Sequence, residues 1–149
     1  MKYTALLGRI MFSVIFLHAA PGHFSGGAVH YAAAQGVPLP AIAVPVSGML
    51  ALLGGLSLLL GLKARWGAGL LLLFLAPVTL MMHAFWAAQD PAAAQMQQIQ
   101  FMKNLAMAGG ALFVLHFGAG PLSLDAWLEN RRLPAAANPP APSGAARHV

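Results

Sequence analysis

The chain has 149 residues, of which 59% are hydrophobic and only 7% charged, with a mean hydropathy of +0.72; a soluble domain carries about 25% charged residues, so lipid rather than water is the solvent this composition fits. The net charge of +5 does not point to nucleic acid, because the basic residues flank apolar runs and form no patch interleaved with aromatics. The absence of cysteine excludes disulfides, thiolate metal sites and a thiol nucleophile, so any redox chemistry would belong to a cofactor or a partner.

A helix crosses the hydrocarbon core with about 20 apolar residues. Tyr3 to Ala20 is the first such stretch, with Arg9 about two turns in and Pro21 at its end. Lys2, the apolar run and the small residues Ala19 and Ala20 loosely resemble a secretory signal. Arg9 interrupts that run and further spans follow, so a retained helix is expected. In the first loop, Ser25 can cap a short helix running to Gln35, which Gly36 and Pro38 would stop. This helix is expected on the outer membrane surface.

Ala41 to Leu62 is the second span and Trp66 to Trp86 the third, with Pro77 in its middle. Phe101 to Phe117 is the fourth. Its helix is expected to begin earlier, with Asp90 as N-cap and Pro91 as the first helical residue. Ala92 to Gln100 then forms a polar extension. The fold class is therefore all-α: a four-helix transmembrane bundle with a short interfacial helix in the first external loop. Residues 1–133 form the transmembrane domain, and the Pro/Ala-rich residues 134–149 a disordered cytoplasmic tail.

Orientation follows from the cations. Lys2 and Arg9 lie at the first end, Lys63 and Arg65 in the second loop, and Arg131, Arg132 and Arg147 after the fourth span. The first and third loops have none. The positive-inside rule places both termini and the second loop in the cytoplasm of a bacterial inner membrane protein. Small residues at every fourth position, Ser47-Ala51-Gly55 on the second helix and Ala106-Gly110 on the fourth, predict faces where backbones approach closely.

Polar groups from three helices gather at one outer depth: His18 and His23 on or just beyond the first, His83 and Trp86 on the third, Lys103 and Asn104 on the fourth. Thr79, His83 and Trp86 share a helical face. The cluster has two readings. As anchors, Trp86 sits in the interfacial belt, Lys103 snorkels to headgroups and the histidines bond between helices. As a site, His18, His83, Trp86, Lys103 and Asn104 form a pocket for a polar-headed hydrophobic ligand such as a quinone, its carbonyls bound by imidazole and ammonium and its ring stacked on Trp86.

Paired haem ligation by His18 and His83 is the weaker alternative, since two histidines at similar depth are necessary but not sufficient. Copper(I) held by His83 with Met81, Met82, Met102 or Met107 is weaker still, because Met in an apolar helix is usually filler. No metal site is expected. Arg9 shares a face with Ser13 and Phe16 and lies about 180° around the helix from His18. Lipid phosphate, backbone carbonyls or an acidic group of a partner would each satisfy it, since no acidic residue lies within the spans. His116 is expected at the inner interface.

The ordered set of Leu7-Gly8-Arg9-Ile10, Gly22-His23-Phe24, Gly36-Val37-Pro38-Leu39-Pro40 and Leu52-Leu53-Gly54-Gly55 resembles the DoxX family of small bacterial membrane proteins. So do His83-Ala84-Phe85-Trp86, the run Gln98 to Ala106, and Gly118-Ala119-Gly120-Pro121-Leu122-Ser123-Leu124-Asp125. The resemblance implies a four-helix inner-membrane protein linked to quinone-dependent oxidoreductases and to complexes that resist oxidative stress. Family members often carry Glu where this chain has Ala51 and Lys where it has His23.

The leading expectation is a membrane subunit, not a self-contained enzyme, that binds quinone or supports a protein partner which does. The rival is a non-catalytic scaffold holding a soluble redox enzyme at the bilayer. A small-solute permease is a third reading; four short helices leave a small pore, so it would require a homo-oligomer.

Overall fold

The computed structural model describes residues 2–132, and the tail of residues 134–149 lies outside the described residues. Six α-helices follow one another: α1 (Lys2–Ala19), α2 (Gly26–Ala34), α3 (Pro40–Leu60), α4 (Ala64–Met82), α5 (Pro91–Phe117) and α6 (Leu124–Arg132). Short 3-10 turns extend α1 (Ala20–Phe24) and follow α4 (Phe85–Ala87). Three segments are long and apolar enough to cross a membrane: Lys2–Phe24, Pro40–Leu60 and Ala64–Ala87. α5 has 27 residues, but glutamines, Lys103 and Asn104 occupy its first half.

The caps explain most boundaries. Asp90 accepts a hydrogen bond from the N–H of Ala93 at 2.8 Å, with Pro91 opening α5 as expected. Ser25 accepts from Ala28 N–H at 3.3 Å and starts α2, and Gly36 at φ +76° ends the turn beyond it. Two boundaries differ from expectation. The third helix stops at Met82 rather than Trp86, because His83 leaves helical geometry (φ −124°, ψ 39°) and the chain enters a separate turn. A further helix, α6, follows α5. Ser123 caps it by accepting from Ala126 N–H at 3.2 Å, and acidic Asp125 occupies its first turn.

α3 is central because glycines let neighbours approach it on several sides. A Cβ on Gly54 would fall 2.6 Å from Leu71 of α4, one on Gly55 3.0 Å from Leu17 of α1, and one on Gly48 2.6 Å from His23. The buried face thus runs through Val44, Gly48, Ala51, Gly54, Gly55 and Leu58, with Ser47 at its margin. On α5 the buried residues are Asn104 and Ala111, whereas Ala106 is exposed and Gly110 faces the ring of Phe12, which a Cβ there would meet at 2.8 Å. The expected small-residue stripe is therefore offset on that helix, since Phe12 of α1 meets Gly110 and not Ala106.

The core joins Phe16, Ala20, Ala51, Leu58, Ala68, Leu71, Phe74 and Leu75. Phe16 bridges Phe12 and Phe74 edge-to-face at 5.3 and 6.2 Å. Many large apolar side chains, among them Leu73, Leu80, Leu105 and Phe113, face outward. That is the arrangement a lipid-facing surface requires.

Candidate functional site: an apolar cavity with a polar rim

At the end of the bundle opposite Lys2 and Lys63, the helices form a half-open cavity of about 650 Å³. α1, the turn after it, α2, α3, α4 and α5 all contribute to its lining. Its walls are apolar, with Phe16, Val44, Phe74, Val78, Met82 and Met107 among them. The contact of Phe12 with Gly110 lies one turn below, towards the opposite end.

Of the residues expected to form the pocket, the structure brings His83, Lys103 and Asn104 to this cavity. His18 and Trp86 are not in its lining. The buried face of α1 is Arg9, Ser13 and Phe16, which leaves His18 exposed two residues further round the helix. Trp86 is 59% exposed and packs edge-to-face on Phe85 and Phe101 at 5.1 and 5.8 Å. The Thr79-His83-Trp86 alignment required an unbroken helix, and α4 ends before Trp86. His18 and His83 therefore do not share the cavity, and Met102 is exposed while Met81, Met82 and Met107 line it.

The remaining polar lining includes His23, Tyr31 and Ser47. Tyr31 carried no signal in the sequence, because the position of α2 on the bundle depends on the chain returning over α3, and Ser47 of α3 was legible only as part of a packing stripe. His23 is brought in by the 3-10 turn, which seats it against Gly48 and 5.6 Å from the Phe74 ring.

The hydrogen bonds set the chemistry of the rim. His23 Nδ1 lies 3.1 Å from the carbonyl of Ala19. A carbonyl only accepts, so Nδ1 carries the proton and Nε2 remains free. His83 Nδ1 donates to Gln97 Oε1 at 2.8 Å, which ties the end of α4 to α5. The ammonium of Lys103 bonds Gln100 one turn earlier and keeps donors to spare. Ser47 donates to Val44 O at 2.7 Å. Asn104 is 5% exposed, lines the cavity, and its carboxamide bonds no described residue. Ala51 is fully buried in the core, at a level where its methyl group packs among Phe16 and Leu71.

A second polar centre lies at the other end. Arg9, 5% exposed, donates from Nη2 to Leu122 O at 2.5 Å and from Nη1 to Leu58 O at 3.4 Å. Of the partners open to it from sequence, carbonyls are the ones it meets. Its guanidinium occupies the space that a side chain on Gly61 (φ +64°) would fill. Asp125 accepts from the N–H groups of Lys63 at 2.7 Å and Ala64 at 3.0 Å, capping α4 from a distance of 61 residues. Its own N–H returns a bond to Gly61 O at 2.9 Å. The segment from Gly118 to Asp125 thereby locks the α3–α4 turn, and Arg9 is the pin. Among the described residues there is no group of three or more His, Asp or Glu placed to hold a metal ion.

The DoxX family model matches residues 4–84, which span α1 to the end of α4, including the glycine-lined contacts of α3. The chain belongs to the DoxX family. Among this DoxX protein's relatives is the inner membrane protein YqjF of Escherichia coli K12, 32% identical over 128 residues, covering 85% of this chain and 92% of the relative. The inner membrane protein YphA of the same organism is 28% identical over 122 residues, covering 80% and 86%. No solved structure matches the chain. The protein is thus a DoxX-family membrane protein, and its relatives are inner membrane proteins.

Proposed function

We propose that this DoxX protein is a bacterial inner-membrane subunit of an oxidoreductase or oxidative-stress system, and that its cavity takes a quinone-class ligand. The observation that carries the reading is Asn104. Its carboxamide opens on the cavity and is hydrogen-bonded to no described residue, so a ligand head group there would meet a free donor and a free acceptor. Apolar walls suit a hydrophobic ring and tail; the ammonium of Lys103 and the amide of Asn104 can donate to quinone carbonyls, while the unprotonated Nε2 of His23 and of His83 can accept from the hydroxyls of the quinol form.

The reading includes a four-span topology. α5 supplies the fourth span through Phe101–Phe117, and both termini and the α3–α4 turn lie in the cytoplasm. α2 then lies at the outer interface and roofs the cavity. The chain has no Cys for thiol redox chemistry and no carboxylate in the spans for proton transfer, which fits a supporting subunit.

The test is purification from the native membrane in mild detergent, with mass spectrometry of bound small molecules and proteins. A stoichiometric quinone lost in His83→Ala and Asn104→Leu supports the reading. Copurification of a soluble redox protein with an empty cavity would instead favour the scaffold role.

A further inference from the structure

The basic end of the molecule holds a second concavity, of about 460 Å³, between the α3–α4 turn and the segment joining α5 to α6. Lys63 and Arg65 line one side and Glu129 of α6 the other, over a floor of Gly118, Ala119 and Gly120. Asp125 also lines it, but both its oxygens are engaged by the N–H groups of Lys63 and Ala64. Among the described residues no Lys or Arg side-chain nitrogen lies within 4.0 Å of an Asp or Glu side-chain oxygen. The two cations and the Glu129 carboxylate therefore share the space without pairing.

The backbone that carries Lys63 is fixed, in left-handed geometry (φ +49°) under the Asp125 cap, and Arg65 Nε lies 3.5 Å from where a Cβ on Gly118 would stand; both side chains are exposed. Trp66 and Phe117 stand at the rim, 78% and 69% exposed, where α4 begins and α5 ends. An exposed Trp at the end of a membrane-length helix marks the headgroup level.

We propose that this concavity binds the headgroup of a zwitterionic aminophospholipid. Lys63 and Arg65 take the phosphate, Glu129 takes the primary ammonium, and Trp66 and Phe117 rest against the glycerol and upper acyl chains. A headgroup with no cation would leave Glu129 facing a phosphate, and a trimethylated ammonium would give it no N–H to accept. The site is separate from the larger cavity, so its occupancy does not depend on the quinone reading.

The experiment uses the full chain in detergent with native mass spectrometry, offering equimolar phosphatidylethanolamine, phosphatidylcholine and phosphatidylglycerol with matched acyl chains. Phosphatidylethanolamine should be retained roughly fivefold over either competitor, the scale of one charge contact near a membrane surface. Glu129→Gln should abolish its preference over phosphatidylglycerol, and Arg65→Gln should weaken retention of all the phospholipids. Both positions are exposed, and an unchanged helical circular dichroism spectrum checks that each variant folds. Equal retention of the three lipids by the wild type, which needs no variant to read, would overturn the proposal. So would displacement of the lipid by millimolar inorganic phosphate, which would mark a free-anion site, or a preference that survives Glu129→Gln.

Discussion

Arg9 shows how a costly residue becomes a structural one. A charged side chain in a membrane helix needs partners, and here Leu58 and Leu122 supply carbonyls from segments far away in sequence. Arg9→Leu removes two charge-assisted bonds and should cost on the order of 3 kcal/mol, read as a lower melting temperature in detergent. Gly61→Ala should act on the same centre, through its left-handed backbone and through collision with the Arg9 guanidinium. Gly69→Ala, where a Cβ meets nothing within 4 Å, is the matched control and should leave the melt unchanged. Asn104 behaves in the opposite sense. Asn104→Leu should preserve or raise stability while ligand retention falls, because the carboxamide contributes no bond to a described residue. A large loss of stability in that variant would mean that Asn104 has a structural duty instead. Arg9 was legible in the sequence as a residue needing carbonyls or an anion, but its partners were not, since both arrive from distant segments.

Among the elements, the helices that start with a side-chain cap were readable in advance. Asp90-Pro91 and Ser25 announce α5 and α2 through local chemistry alone. The end of α4 was not readable, because the run to Trp86 stays apolar and His83 breaks the helix with its ring bonded to Gln97 of α5. That single break moved Trp86 off the cavity. α6 carried a weak local signal, Ser123 ahead of Leu124-Asp125, yet the more consequential role of Asp125 is tertiary. Asp125→Ala should remove both acceptors at the start of α4 and cost about 1–2 kcal/mol, the range for a lost N-cap. Hydrogen exchange should show faster opening of the first turn of α4, and uniform protection there would count against the cap. Between helices, Gly55→Leu should destabilise strongly, because the Leu17 side chain already occupies the space, while Gly109→Ala should be silent.

At the scale of the whole molecule, composition alone indicated lipid as solvent, and of the four spans read from hydropathy three are helices long and apolar enough to cross it. The lining of the cavity was only half legible: depth along each helix brought His83, Lys103 and Asn104 together, but rotation about the helix axis excluded His18. The proposed orientation makes a direct prediction. Reporters fused after Arg65 and Arg132 should read cytoplasmic and one near Asp90 external, and an external signal after Arg65 would reverse the scheme. The central claim, that the cavity near Asn104 takes a quinone-class molecule, is tested most directly by photolabelling membranes with an azido-quinone and mapping the modified residues by mass spectrometry. Label on the cavity-lining segments around Met81, Met82 and Met107, competed away by an unlabelled short-chain quinone and lost in Asn104→Leu, is the predicted result. Label confined to outward-facing residues such as Leu73 and Leu105, and insensitive to competitor, would contradict it.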